Sequence, residues 1–301
     1  MENFQARRPL RTGSLIVTIF GDVIAPRGGV VWLGSLIRTL APLGISSRLT
    51  RTAVFRLVKE DILQTEHVGR RSFYSLTPSG RQQFDEATRR IYADPHPDWD
   101  NQWCLVFTHL LTSEQKETIR KQLRRLGFGN FGTDFDAHPV PDRKLMHSHL
   151  QQLDGYSDIV FMDGSLPTTE TDTKVQQLVI DLWALDTLEA AYREFIEHFH
   201  PFLQTLDTGN AVNPADAFYL RTFLVHEYRK VLLRDPGLPR TLLSSTWKGH
   251  TAYQLARQLY QALTPASEDY VDMCFENQIG TLPPPTASFY ERFGDYQAPP
   301  S

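Results

Sequence analysis

The stretch "SSRLTRTAVFRLVKEDIL" (Ser46–Leu63) reads as an amphipathic helix whose outer face is almost purely basic. On a helical wheel of about 100° per residue, Leu49, Ala53, Val54 and Leu57 fall on a core-facing stripe. Arg48, Arg51, Thr52, Phe55 and Lys59 gather on the opposite arc, and the acids Glu60 and Asp61 wait at the far end. Ser46 or Ser47 supplies an N-cap, so the helix starts where its basic face starts. A solvated charged face would mix both signs. A face that touches phosphates and thymine methyls needs cations with an apolar group among them, which is the composition here.

The flanking residues set this helix in an ordered series. "SLIVTIFGDVIAPRGG" reads as an apolar-periodic helix capped at Ser14 and ended near Pro26, "VVW" as a short strand, and "LGSLIRTLAPLG" as a second helix stopped by Pro42 and Gly44. After the basic helix, "LQTEHV" and "SFYSLT" read as two short strands around a Gly69-Arg70-Arg71 turn. A helix from Pro78 follows, with Thr77 as its cap. Helix, strand, helix, basic helix, hairpin, helix is the order of a winged helix-turn-helix. In that arrangement the basic helix enters a DNA groove and the wing tip, Arg70 and Arg71, meets the backbone. The arm carrying Arg7, Arg8 and Arg11 is expected to be disordered rather than a minor-groove reader.

Charge is distributed to match. Residues 1–92 hold 14 Lys and Arg against 7 Asp and Glu, whereas the remainder holds 17 against 28, which gives the net −4. A basic module joined to an acidic body suits a nucleic-acid reader with a regulatory remainder. The 301 residues, 41% hydrophobic and 22% charged, describe a globular chain of two or three domains. No apolar run is long enough for a membrane span and the N-terminus lacks a signal-peptide apolar core, so a cytoplasmic location is expected. Cys104 and Cys274 are expected to be buried free thiols.

Proline-rich punctuation at 93–101 and 165–173 divides the chain into three blocks: a DNA-binding domain over 1–92, a central module over 102–165, and a helical regulatory domain over 174–294. In the central block "QWCLVFTHL", "NFGTDFDAH" and a buried "DIVFMDG" alternate with helices at 113–126 and 142–153, which predicts a small ferredoxin-like, split βαβ module. The third block repeats apolar and aromatic residues at helical spacing, and "GTLPPPTASFYERFG" (280–294) begins a tail too proline-rich for helix. The fold class is therefore α+β and multidomain.

Several of these segments together resemble the PaaX-type repressors of phenylacetate catabolism: "SLIVTIFGD", "RGGVVWLGSL", "RTAVFRL", "GRRSFYSLT", "HEYRKVLLRDPGLP", the "W-K-GHTA" run from Trp247, and "LPPPTASFYERFG". They fall in order from residue 14 to residue 294. The resemblance implies a dimeric DNA-binding repressor that leaves its operator on binding an aryl-CoA thioester, typically phenylacetyl-CoA. Asp61-Ile62 stands where members commonly have Gly-Trp, Lys230 replaces an arginine, and Ser244-Ser245 stands where "LP" is usual.

An acyl-CoA receptor needs cations for phosphates and an apolar slot for the acyl group. Residues 145–220 hold 12 acids and two bases, but from 221 to 257 seven bases stand against two acids. Arg229, Lys230, Arg234 and Lys248, with Tyr228 and Trp247 interleaved, are the candidate effector contacts; capping of a helix C-terminus by the same cations is an even rival. Enzyme readings are weaker. "HEYRK" lacks the second histidine of a zinc helix, the pairs His147/His149 and His198/His200 lack a third ligand, and no nucleotide-cofactor or nucleophile fingerprint occurs. No catalytic residue, resident cofactor or metal is therefore expected. The alternatives are a winged-helix regulator answering a different acyl-CoA and a metal-dependent nuclease using Asp100 or Asp136 of the central module.

Overall fold

A computed structural model describes residues 11–94, 97–165, 173–206 and 212–294. The architecture is α+β, with two small antiparallel sheets among many helices. The chain divides into two compact units that do not follow the three consecutive blocks expected from punctuation. One gathers the described parts of 1–93, 197–230 and 254–301, and the other those of 94–196 and 231–253. The prolines at 93–101 do mark a boundary. The helical third block is shared out because its apolar faces complete two different cores. Arg7 and Arg8 lie outside the described residues, as do 166–172 of the second expected linker.

In the first unit, α1 (Thr12–Ile19) continues into a π-turn over Phe20–Ile24. It starts at Thr12 with no side-chain cap, not at Ser14 as expected. The Ser14 hydroxyl and carbonyl accept from Arg229 instead. β1 (Val30–Trp32) leads to α2 (Leu33–Leu40), and α3 (Ser47–Lys59) is capped by Ser46, whose hydroxyl accepts from the Leu49 amide at 3.3 Å. β2 (Leu63–Val68) and β3 (Arg71–Leu76) form a hairpin turning at Gly69 (φ +59°), and β1 completes a sheet of order β1-β3-β2. Arg71 thus belongs to a strand and not to the turn.

α4 (Pro78–Tyr92) begins at the expected Thr77 cap. Its Gly80 lies so close to the Ile62 carbonyl that an added Cβ would sit 2.3 Å from that oxygen, so only glycine lets this helix start there. The core runs from Leu15, Ile16 and Phe20 through Leu36, Val54 and Leu57 to Phe218, Phe223, Val271 and Phe275. These last four come from α9 (Pro214–Leu232) and from α10 (Lys248–Cys274) with its C-terminal end.

Two expectations fail here. Leu49 is 53% exposed, and the buried position on α3 is taken by Thr50. Leu49 lies at the flank of the apolar arc and Thr50 at its centre, where its hydroxyl folds back onto the Ser46 carbonyl at 3.2 Å. The proline-rich tail also contains a helix, Ala287–Tyr290. The prolines stop before Thr286, and Phe289 and Phe293 are buried.

The second unit is built on β4 (Gln102–Phe107), α5 (Ser113–Arg125), β5 (Gly129–Asn130), β6 (Phe135–His138), α6 (Arg143–Leu150) and β7 (Val160–Ser165). The sheet order is β5-β6-β4-β7, with every neighbouring pair antiparallel. The single strand expected over 130–138 is instead a hairpin, broken where Gly132 takes φ +140°. β7 is not buried: it is an edge strand with Val160 and Met162 exposed. Cys104, Val106, Ile119, Leu123, Met146 and Leu150 fill the core between the sheet and α5 and α6. α7 (Thr173–Trp183) and α8 (Leu185–Leu206) are separated at Ala184, which takes φ +48°. Among the described residues no helix is long and apolar enough to cross a membrane.

Candidate nucleic-acid interface

Every polar or aromatic residue assigned to the outer arc of α3 is exposed: Arg48, Arg51, Thr52, Phe55 and Lys59. Thr52 folds its hydroxyl back to the Arg48 carbonyl at 2.9 Å, and the Lys59 ammonium stands 5.0 Å from the centre of the Phe55 ring. Phe55 is 61% exposed, a large apolar surface left in water between cations. Among the described residues no carboxylate lies within ion-pair distance of Arg48, Arg51 or Lys59. The nearby acid Glu60 is taken by Arg56 at 2.8 Å, one turn along the helix flank. Arg48, Arg51 and Lys59 of α3 therefore present positive charge with no paired carboxylate among the described residues, which is what a polyanion requires.

The hairpin treats its two arginines differently. Arg70 stands exposed at the turn. Arg71 is drawn back: its guanidinium lies 4.4 Å from the Trp32 ring centre and pairs with Glu276 at 3.0 Å. Arg38 also lies over Trp32 and pairs with Glu276 at 2.7 Å. The hydrogen bond from Arg38, with Arg71 beside it, holds the Glu276 carboxyl below its ordinary range. Asp61 ends α3 in the left-handed region at φ +55°, the backbone state that explains a glycine preference at this position.

Sequence reasoning missed an ionic cluster in the core of the same unit. Asp22, inside the π-turn, is buried and contacts Arg221 at 3.0 Å, Arg292 at 3.1 Å, and the hydroxyls of Tyr92 at 2.7 Å and Tyr260 at 2.9 Å. Burial alone would raise the Asp22 pKa, but the two guanidiniums and two hydroxyls outweigh it and hold it low. Arg221 reaches Glu268 at 2.7 Å, and Glu268 and Asp272 take Arg27. Four segments far apart in sequence meet at this carboxylate, so no local pattern could announce it.

The effector candidates are divided between the units. In the first, Tyr228 is buried with its ring 6.2 Å from Phe293, Arg229 donates to the Ser14 carbonyl at 3.1 Å and hydroxyl at 2.9 Å, and Lys230 pairs with Glu227. In the second, Trp247 is buried edge-on to Tyr192, Arg234 is exposed and Lys248 half-buried. His226 is buried beside these cations. Its Nδ1 faces the Thr18 hydroxyl at 2.9 Å, and burial, with Lys230 and Arg229 adding to it, lowers its pKa to about 3.

Asp136, proposed as a nuclease ligand, is buried facing Arg120 at 3.5 Å and accepts from Asn130, while Asp100 accepts from the Gln102 amide. Among the described residues no group of three or more His, Cys, Asp or Glu side chains is placed to hold a metal ion. Cys104 is buried and Cys274 only partly so; both are free thiols.

With this geometry in place, comparison with known proteins gives a consistent picture. The model of the PaaX-like protein family matches residues 11–80, and that of the PaaX-like protein C-terminal domain matches residues 183–273. The transcriptional repressor PaaX of Escherichia coli K12 is 35% identical over 287 residues, 95% of this chain and 91% of that protein. The chain belongs to the PaaX-like family. The solved structure of an uncharacterized protein from Mycobacterium tuberculosis shares the fold with a TM-score of 0.51 at 18% identity, covering 78% of this chain and 89% of that one. The family-model match over 11–80 takes in the basic helix and the hairpin with Arg70 and Arg71.

Proposed function

We propose that this protein is a DNA-binding transcriptional repressor of phenylacetate catabolic genes, without catalytic activity. The observation that carries the reading is the exposed arc of Arg48, Arg51, Thr52, Phe55 and Lys59 with no carboxylate on it. In this reading residues 11–92 act as a winged helix-turn-helix: α3 lies in the major groove, and the hairpin approaches the backbone with Arg70 foremost. The strand order β5-β6-β4-β7 around two helices supports a ferredoxin-like reading of residues 102–165. The repressor acts as a homodimer, because one recognition helix reads too few base pairs for operator selectivity.

An aryl-CoA thioester such as phenylacetyl-CoA releases it from DNA, by binding the DNA-incompetent arrangement more tightly than the competent one. Among the candidate cations, Arg234 is exposed and Lys248 half-buried in the second unit, whereas Arg229 and Lys230 of the first already hold partners within the chain. The test is a mobility shift with a labelled operator fragment in the presence of Mg²⁺. A retarded, intact duplex freed by phenylacetyl-CoA supports the reading. Cleavage of the duplex would favour the nuclease alternative, and absence of a shift would refute the repressor.

A further inference from the structure

The first unit contains a partly open cavity of about 180 Å³ lined by α1 and its π-turn, Ile62, α4 and α9. Its wall is mainly apolar, with Val17, Phe84, Ala87, Ile91 and Val225 among the lining residues, and exposed Gln83 stands at its rim. A dry apolar cavity of about 150 Å³ is enough to take up benzene, so one six-membered ring fits this volume.

A single cation interrupts the apolar lining. Arg229 uses one terminal nitrogen on Ser14, but its Nε–H is buried with no acceptor, and no carboxylate lies within ion-pair distance of it among the described residues. Burial presses its pKa below the ordinary arginine value, the signature of a desolvated charge that its surroundings do not compensate. The other charged lining residue, Asp22, is already saturated by two arginines and two tyrosines. A buried N–H without an acceptor is destabilising, more so when it is charged. The cavity thus offers an apolar volume the size of one ring, with Arg229 in its wall and the Nε–H of that residue unpartnered behind the lining among the described residues.

We propose that this cavity receives the acyl end of the effector, its ring among Phe84, Ala87 and Val225, and that Arg229 turns its unpartnered Nε–H toward the carbonyl oxygen. The inference rests on the acyl-CoA reading above and gives Arg229 a different duty from phosphate binding. It also supplies a route to the DNA-reading helix. The cavity wall includes Ile62, three residues past the end of α3, and α1, whose Leu15 and Ile16 share a core with Val54 and Leu57. A ligand that spreads α1 from α4 displaces the seat of α3.

The test is calorimetric titration of the full chain with phenylacetyl-CoA, phenylacetate and CoA, comparing wild type with Ala87→Leu and Ala87→Phe. Ala87 is half-buried on α4, so the smaller replacement is tolerated even where the larger one unfolds the protein. Circular dichroism and the urea midpoint, followed in parallel, report folding independently of operator binding. The expected result is a loss of phenylacetyl-CoA affinity that grows with the volume added, at least tenfold for Ala87→Phe, with CoA alone unaffected. An analogue with a methylene in place of the thioester carbonyl should bind wild type more weakly and be indifferent to Arg229→Lys. Phenylacetate binding with the same dependence on residue 87 would support the cavity and identify the free acid as its ligand. If folded variants bind the thioester as tightly as wild type, the cavity assignment is wrong and the acyl-CoA reading stands. If wild type binds neither thioester nor acid, both are wrong.

Discussion

Arg51 on α3 and Arg221 on α9 carry the same guanidinium in opposite settings. Arg51 is exposed, with no carboxylate in reach among the described residues; Arg221 has no exposed surface and is held by Asp22 and Glu268. Keeping an exposed cation costs the fold little, whereas a buried one is tolerable only with its partners in place. The first is available to a ligand outside the chain and the second is committed to joining chain segments. Function and stability are thus assigned to separate sets of arginines, and substitutions should move one property at a time.

The largest effect should come from the buried set. Asp22→Ala leaves Arg221 and Arg292 facing an empty space and removes the acceptor of two tyrosine hydroxyls. Loss of one partner of a buried ionic group costs about 3–5 kcal/mol. Urea denaturation followed by circular dichroism should therefore show a large drop in midpoint, while the fraction that remains folded binds operator normally. A change below about 1 kcal/mol, small beside that expectation, would mean that the cluster contributes nothing net and would erase the contrast.

Arg51→Ala should do the reverse, leaving the midpoint in place and weakening operator binding. If Arg51 reads a guanine, the cost is about 1–3 kcal/mol and specificity relaxes at that base. If it touches only phosphate, all sequences weaken alike. Comparing operator with scrambled DNA at one salt concentration separates the two, and unchanged affinity for both would remove α3 from the groove.

The same contrast shows what could be read in advance. The order of elements from α1 to α4 was legible because several local signals agreed with the fold: Ser46 and Thr77 as caps, Gly69 at the turn, an apolar stripe containing Val54 and Leu57. Leu49 misled because a wheel assigns sides but not how far the neighbours reach around them. The basic face of α3 was legible as well, since exposed groups are defined by what their own helix does. The partners of Arg221 and Arg229 were not: Asp22 and Ser14 lie about 200 residues away. A run of cations from 221 to 257 looks the same in sequence whether it meets phosphates or buried carboxylates. The two compact units cut across the three-block division for a related reason, because the described parts of 197–230 and 254–294 group with the N-terminal segment.

His226 tests the buried region through pH. Its pKa is lowered from the usual 6.5 to about 3, so between these values the unfolded chain binds more protons than the folded one. Stability is then full above about pH 6.5 and falls as pH drops, by about 1.4 kcal/mol per unit, or about 2 kcal/mol at pH 5. His226→Gln keeps a hydrogen-bonding group beside Thr18 and should flatten the dependence between pH 6.5 and pH 5. An equally steep slope in this variant would place the titrating group elsewhere.

The smallest effect, and the sharpest, concerns the two arginines of the hairpin. Sequence alone treats Arg70 and Arg71 as equivalent phosphate contacts, worth about one unit of salt dependence each. The structure separates them. Arg71 is balanced by Glu276 and lies on Trp32, so counterions released on DNA binding are not drawn from it. Arg70 is exposed at the turn with no ion-pair partner among the described residues. Arg70→Ala should therefore lower the slope of log affinity against log salt by about one. Arg71→Ala should leave the slope in place and weaken binding only as far as the hairpin loses its anchor to Trp32 and Glu276. Affinities measured at four or five salt concentrations would suffice. Equal slope changes for both variants would mean that DNA pulls Arg71 away from Glu276, and Glu276→Gln should then strengthen binding, because the competing carboxylate would be gone.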